Sequence, residues 1–185
     1  TANVNAQRIE FAGIGSTKFG GLPGRTTISM NVEAIRKALK DAGIEKDAVD
    51  ALFVKCPTSK FELMYGQKVA EAIALQPKIG GVWDSGGSSN VMMIATAVMA
   101  IEAGQCDIAV VTFADNPKTG SAASYNRPRG DDALYGWFAT LSSYAMIARR
   151  HMGELGTRRE DLGAVAVASR RHGAANDKAQ LRKPL

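Results

Sequence analysis

Apolar positions along the chain recur with two different periods, and the alternation between them orders the elements. Ile9, Phe11, Ala12 and Ile14, interleaved with Gly13 and Gly15, read as a mostly buried strand. Turn-rich sequence follows to Arg25. Ile28, Val32, Ile35, Leu39 and Ala42 then fall three or four residues apart, the spacing of one helix face. Thr26 or Thr27 offers the N-cap and Gly43 the stop. The run Ala51-Leu52-Phe53-Val54 has strand length, Phe61, Met64, Lys68-Val69, Ala72 and Ile73 mark a second helix closed by Pro77, and Ile79 to Trp83 supplies another strand. From Ser88 to Ile101 almost every face is apolar, which predicts a helix buried all round and stopped at Gly104. Asp107 to Phe113, rich in Ile and Val, is the fourth strand.

Strand and helix therefore alternate, as in a layered α/β domain with a mostly parallel mixed sheet and a buried central helix. This pattern predicts an α/β domain over residues 1–114. Beyond it the apolar content drops, and Asn116-Pro117 and Arg127-Pro128-Arg129-Gly130 punctuate a long loop. Trp137, Leu141, Tyr144, Ala145 and Ala148 mark a helix ending near Gly153. Thr157 and Glu160 form a capping-box pattern that opens a last helix through Leu162, Val165 and Ser169. Residues 115–185 thus read as a loop region and two helices, a partial second domain.

Composition narrows the class. With 185 residues, 45% of them hydrophobic and 22% charged, the chain can enclose one sizeable core. No apolar run reaches the ~20 residues of a membrane helix, and Thr1-Ala2-Asn3-Val4-Asn5 lacks a signal pattern, so a cytoplasmic protein without membrane insertion is expected. Cys56 and Cys106 stand alone, giving neither a zinc spacing nor a disulfide framework. The net charge of +5 is carried entirely by the tail, where Arg149 to Leu185 hold nine Lys or Arg against four Asp or Glu. A charge cluster reports sign, not partner. A solvated face and a phosphorylated ligand such as coenzyme A both fit, whereas nucleic acid does not, because no nucleic-acid motif accompanies the charge.

Two candidate nucleotide motifs fail on context. Gly13-Ile14-Gly15-Ser16-Thr17-Lys18 follows a strand but leads into a loop instead of a helix, and Gly15 to Gly21 lacks the ending of a P-loop. His151 and His172 sit among arginines with no carboxylates placed to complete a metal site.

Gly13-Ile14-Gly15-Ser16-Thr17-Lys18-Phe19 and, more strongly, Gly86-Gly87-Ser88-Ser89-Asn90 leading through Ala100-Ile101-Glu102-Ala103-Gly104-Gln105-Cys106-Asp107 into a strand carry a family resemblance. Ala148-Arg149-Arg150-His151-Met152, Thr157 to Leu162 and Arg170 to Asn176 extend it to near the end of the chain. These blocks resemble the thiolase superfamily, in particular its branch of sterol-carrier-protein-type thiolases and bacterial lipid-transfer-protein aldolases. Members are about twice this length, so the resemblance covers an N-terminal half, with acid-base residues expected outside these 185 residues.

In that family a cysteine nucleophile stands at the mouth of the buried helix, and counting back from Gly104 puts Gly87 in its place. Glycine cannot form an acyl-enzyme, and Cys106 lies at the opposite helix end, roughly 25 Å away by helical rise. What remains are the N-H groups of Gly86, Gly87 and Ser88, which can stabilise an oxyanion. Ser88 and Ser89 read first as helix caps. The resemblance therefore implies retro-aldol carbon-carbon cleavage of a 3-hydroxyacyl-CoA through an enolate, a reaction that needs a base but no covalent nucleophile. An acetyl-CoA acetyltransferase-type thiolase and a non-catalytic acyl-CoA-binding or scaffold subunit are the alternatives. Coenzyme A is expected only as part of the substrate, its phosphates meeting Arg149, Arg150, Arg170 and Arg171. A homodimer and a zinc-ribbon/OB-fold companion subunit are the partners the resemblance implies, covering apolar surface left open by a half-length chain.

Overall fold

The computed structural model describes residues 9–120, 130–137 and 139–185. Its contacts separate two compact units, Thr1–Ser124 and Tyr125–Leu185.

The first unit is built on three parallel strands in the order β2-β1-β3: β1 Ala51–Lys55, β2 Ile79–Val82 and β3 Ala109–Phe113. Register aligns Ala51 with both Ile79 and Ala109, so the three strands start level and end at one edge. The central position of β1 buries all five of its residues. Side chains alternate across the sheet. Leu52 and Val54 join Ile35, Leu39, Tyr65, Val69 and Ile73 from α1 (Thr27–Ala42) and α2 (Tyr65–Ile73) on one face. Ala51 and Phe53 join Met93, Ala97 and Ala100 from α3 (Ser89–Glu102) on the other. Burying a side chain the size of Phe53 contributes about 1.5–3 kcal/mol, and β1 therefore organises both halves of the core.

The local signals in α1 act as expected. The Thr26 hydroxyl accepts the Ser29 amide at 3.0 Å and the Ser29 hydroxyl accepts the Thr26 amide at 3.2 Å, a reciprocal cap. Gly43 ends the helix in the left-handed region, with φ +66°. The second helix is shorter than its apolar pattern, because Phe61 and Met64 lie outside it and exposed.

Two expectations change. Residues 9–15 form no strand; among the described residues the sheet has three strands only. The segment instead runs along α1. The Ile14 amide donates to Asp41 Oδ2 at 2.9 Å, and Lys37 Nζ donates to the Ser16 carbonyl at 2.9 Å. A Cβ on Gly15 would stand 2.1 Å from the Ala34 carbonyl, so glycine permits this approach. Helix side chains satisfy backbone groups that a sheet partner would otherwise take. The second change concerns α3, which buries Ser89, Met93, Ala97 and Ala100 on one face and leaves Val91, Met92 and Met99 exposed in this chain.

The second unit contains a 3-10 segment Gly130–Tyr135 and two helices, α4 Ala139–Leu155 and α5 Arg159–Ala175. At the start of α5 Asp161, not Glu160, closes the cap by accepting the Arg158 amide at 2.9 Å. Thr157 instead meets His151 Nδ1 at 2.8 Å. Tyr125 and the stretch 121–129, including Arg127-Pro128-Arg129, lie outside the described residues.

Candidate functional site

In parallel sheets the C-terminal strand edge is where ligands bind, because loops there converge and helices begin there. Here that edge is formed by Lys55 closing β1, Trp83 following β2 and Phe113 closing β3. Trp83 is held in line by donating its amide to the Val54 carbonyl at 3.0 Å, and its ring packs tilted on Phe53 with centroids 6.3 Å apart. The chain then turns through Asp84 and Ser85 into a 3-10 turn, Gly86–Ser88, which runs directly into α3.

The block singled out from sequence is one structural unit. Gly86 has φ +63°, a conformation that a side chain resists. Its amide donates to Asp84 Oδ1 at 2.9 Å. Ser89 is fully buried, and its hydroxyl accepts the Ser85 amide at 2.9 Å and donates to the Gly86 carbonyl at 2.7 Å. Ser88 donates its hydroxyl to the Ser85 carbonyl at 2.8 Å. Both serines thus brace the turn. Gly87 differs from Gly86: its φ is not positive, and a Cβ placed on it meets nothing within 4 Å. Neither backbone conformation nor crowding in this chain demands glycine there.

Electrostatics at the edge centre on Asp84. The Gly86 amide is the main influence holding its carboxyl below the usual range, outweighing burial and helped by the Lys55 ammonium at 3.3 Å. Lys55 is nearly buried, donates also to the Cys56 carbonyl at 3.3 Å, and lies 5.3 Å from the Phe113 ring centroid. Sequence reading missed this pair. Its signal was a lysine directly after a buried strand and an aspartate directly after the next one, two positions that a parallel sheet brings to one edge.

Other candidates fall elsewhere. Arg149 and Arg150 lie on α4 and Arg170 and Arg171 on α5, in the second unit. Arg150 pairs with Glu154 at 2.8 Å and Arg170 donates to the Lys183 carbonyl at 2.7 Å, while Arg149 and Arg171 are exposed. Cys56 and Cys106 are free, buried thiols, and burial pushes the Cys106 thiol up. Tyr65 is a core residue with its hydroxyl on Asn31, whereas Tyr135 and Tyr144 are exposed. No group of His, Cys, Asp and Glu among the described residues is placed to hold a metal ion. Nor is any described helix long and apolar enough to cross a membrane.

The parallel sheet, its two helical layers and the glycine-serine turn feeding α3 define an α/β protein of thiolase-like architecture. No family model matches the chain. Among known proteins it is 32% identical over 182 residues to a steroid side-chain-cleaving aldolase of Thermomonospora curvata, covering 91% of this chain and 45% of that one. It is also 32% identical over 184 residues to a 17-hydroxy-3-oxo-4-pregnene-20-carboxyl-CoA lyase of Mycobacterium tuberculosis, covering 90% and 46%. A solved Ltp2-ChsH2(DUF35) aldolase superposes with TM-score 0.77 at 33% identity, covering 94% of this chain and 46% of that one. The chain is related to the thiolase superfamily, and what it corresponds to there is an N-terminal half. It spans about half the length of the curated relatives it matches.

Proposed function

We propose that this chain carries the enolate-binding half of a site for retro-aldol cleavage of a 3-hydroxyacyl-CoA. The observation that carries the reading is Gly87: it stands at the mouth of α3, presents no side chain, and faces open space. An acyl-enzyme cannot form at such a position, but an oxyanion can bind there. With the Gly86 amide given to Asp84 and the Ser89 amide given to the Gly86 carbonyl, we assign the Gly87 amide to the enolate oxygen. In the step itself a base takes the hydroxyl proton and that oxygen becomes a carbonyl. The bond between the second and third acyl carbons breaks, and its electron pair forms the CoA-thioester enolate. Protonation at carbon then releases the shortened acyl-CoA. We assign the base to the part of the site that the relatives carry beyond the span matched here.

The names of the two relatives direct the choice of substrate to a CoA thioester on a steroid side chain. The two-component aldolase among the solved structures supports a companion subunit here as well. We assign that companion a zinc-ribbon/OB-fold build, a homodimeric arrangement to this chain, and contacts with CoA phosphates to Arg149, Arg150, Arg170 and Arg171. Coenzyme A enters as part of the substrate, and a cytoplasmic location fits that supply.

The test is to incubate the full-length gene product, with its companion, with a 3-hydroxyacyl-CoA and follow the products by mass spectrometry. An aldehyde or ketone together with a shortened acyl-CoA is expected. A covalent acyl adduct on this chain would instead favour acyl transfer, and binding without turnover a scaffold. Charge reversal at Arg149 and Arg171 should weaken CoA binding, and unchanged affinity would assign them to solvent.

A further inference from the structure

Lys55 is the residue that the proposed reaction leaves unexplained. Only 9% of its side chain is exposed, at the end of the central strand, where the run before it is entirely apolar. Withdrawing an ammonium from water is costly, and an apolar side chain would fill the same place more cheaply. Besides the Cys56 carbonyl and the Phe113 ring, its charge meets one carboxylate among the described residues. Nζ meets Asp84 Oδ2 at 3.3 Å, and the other oxygen of that carboxylate accepts the Gly86 amide at 2.9 Å. The result is a relay from the buried end of β1 to the peptide unit just before Gly87.

The relay also answers an electrostatic difficulty. A carboxylate that braces the turn places a negative charge beside an amide meant to bind another, and like charges a few ångströms apart oppose each other even at a partly exposed site. A cation on the far side of that carboxylate removes the opposition. Ser89 braces the same turn with no charge at all, so bracing alone does not require the ion pair.

We propose that Lys55 is a positioning residue that acts through Asp84, fixing the Gly86–Ser88 turn and neutralising the carboxylate so that the Gly87 amide can donate to the oxygen of a developing enolate. The inference rests on the retro-aldol reading above for its chemistry, and on geometry alone for the turn.

The experiment uses the full-length protein with its companion subunit and a 3-hydroxyacyl-CoA. Lys55→Met and Asp84→Ala should each lower kcat at least about tenfold, short of the 10²–10³ that follows loss of an oxyanion donor. KM should stay within about twofold. Lys55→Arg and Asp84→Asn should recover most of the rate, one keeping the cation and the other keeping an acceptor for the Gly86 amide. Unchanged kcat, or a raised KM at unchanged kcat, overturns the proposal. Asp84 is more than half exposed, so Asp84→Ala carries the test if Lys55→Met fails to fold. Amide hydrogen exchange separates this inference from the retro-aldol reading. Both variants should speed exchange at Gly86 and Gly87 and leave β3 unchanged, even if the wild-type protein cleaves no 3-hydroxyacyl-CoA. Wild-type inactivity with that exchange pattern sinks the reaction, whereas unaltered exchange at the two glycines sinks the relay.

Discussion

The Thr112 hydroxyl donates to Asn31 Oδ1 at 2.7 Å across the buried seam between β3 and α1. The Asn31 side-chain nitrogen donates onward to the Tyr65 hydroxyl at 2.9 Å and to the Thr27 carbonyl at 3.1 Å, so one amide joins α1, α2 and the sheet. Buried polar groups that lose a partner cost about 1–3 kcal/mol each. Asn31→Leu strands the Thr112 hydroxyl and takes one of two side-chain partners from the Tyr65 hydroxyl, the other being Thr27, and should destabilise the protein by about 2–4 kcal/mol, read from urea unfolding. Tyr65→Phe, which leaves one Asn31 donor short and takes a partner from the Thr27 side chain, should cost about 1 kcal/mol. Equal losses for the two would show that packing and not the network dominates this seam.

Asp50 ties the strand entrances together. Its carboxylate accepts the Ile108 amide at 2.9 Å and the Asp107 amide at 3.1 Å, and meets Lys78 Nζ at 3.4 Å. Burial is the largest single influence and works to raise its pKa, but the two amides and Lys78 together outweigh it and hold the carboxyl below its ordinary value. Because the folded pKa is the depressed one, the unfolded chain takes up the proton first as pH falls. Asp50 therefore contributes stability in full above the ordinary aspartate value of about 3.9, and loses it as pH drops through the folded value. Asp50→Asn should flatten the acid limb of a stability-pH curve below about pH 4.5. It should also cost about 1–3 kcal/mol at neutral pH, since hydrogen bonds to a charged acceptor are lost. An unchanged acid limb would mean that Glu33, Glu62, Asp84 and Asp161, whose pKa values are also lowered, carry it instead.

Where structure depends on neighbours in the chain, the residues declared it. Thr26, the apolar spacing from Ile28 to Leu39, and Gly43 specify α1 with both ends. The Gly86–Ser89 block likewise announced a glycine-serine helix entrance, but the serines expected as caps donate to the Ser85 and Gly86 carbonyls of the turn and leave α3 without a side-chain cap. Long-range pairing was harder to read. Ile9 to Gly15 has a strand's composition, yet whether it joins a sheet depends on a free edge, and Asp41 and Lys37 on α1 take its polar groups instead. The Ser88–Ile101 run reports how apolar α3 is but not which face the chain itself covers. Lys55 and Asp84 lie 29 positions apart, and only the parallel pairing of β1 with β2 brings them together.

Gly86 and Gly87 are neighbours with opposite demands. At Gly86, φ +63° penalises any side chain, and Gly86→Ala should cost about 1–2 kcal/mol. At Gly87 the backbone is unconstrained and the space around a Cβ is open. Gly87→Ala should leave stability unchanged or raise it by up to about 1 kcal/mol by restricting the unfolded chain. Thermal unfolding of the two variants in parallel checks the contrast. A large loss at Gly87 would mean that the rest of the site packs against it.

Restoring a thiol at the helix mouth tests the position of Gly87 directly. The open space around its Cβ admits a cysteine side chain, and amides at a helix start favour a thiolate. The Asp84 carboxylate beside Gly86 works the other way, although Lys55 offsets part of its charge. The native thiols are buried and should stay unreactive in the folded protein. Gly87→Cys should therefore become the site of alkylation by iodoacetamide at neutral pH, identified by peptide mass spectrometry, with Cys56 and Cys106 unmodified until denaturant is added. Adding Lys55→Met to Gly87→Cys should slow the alkylation, because the carboxylate then faces the thiol uncompensated. If the new cysteine reacts no faster than the two buried ones, Gly87 does not open onto accessible space. The enolate site would then have to be sought along another part of the strand edge.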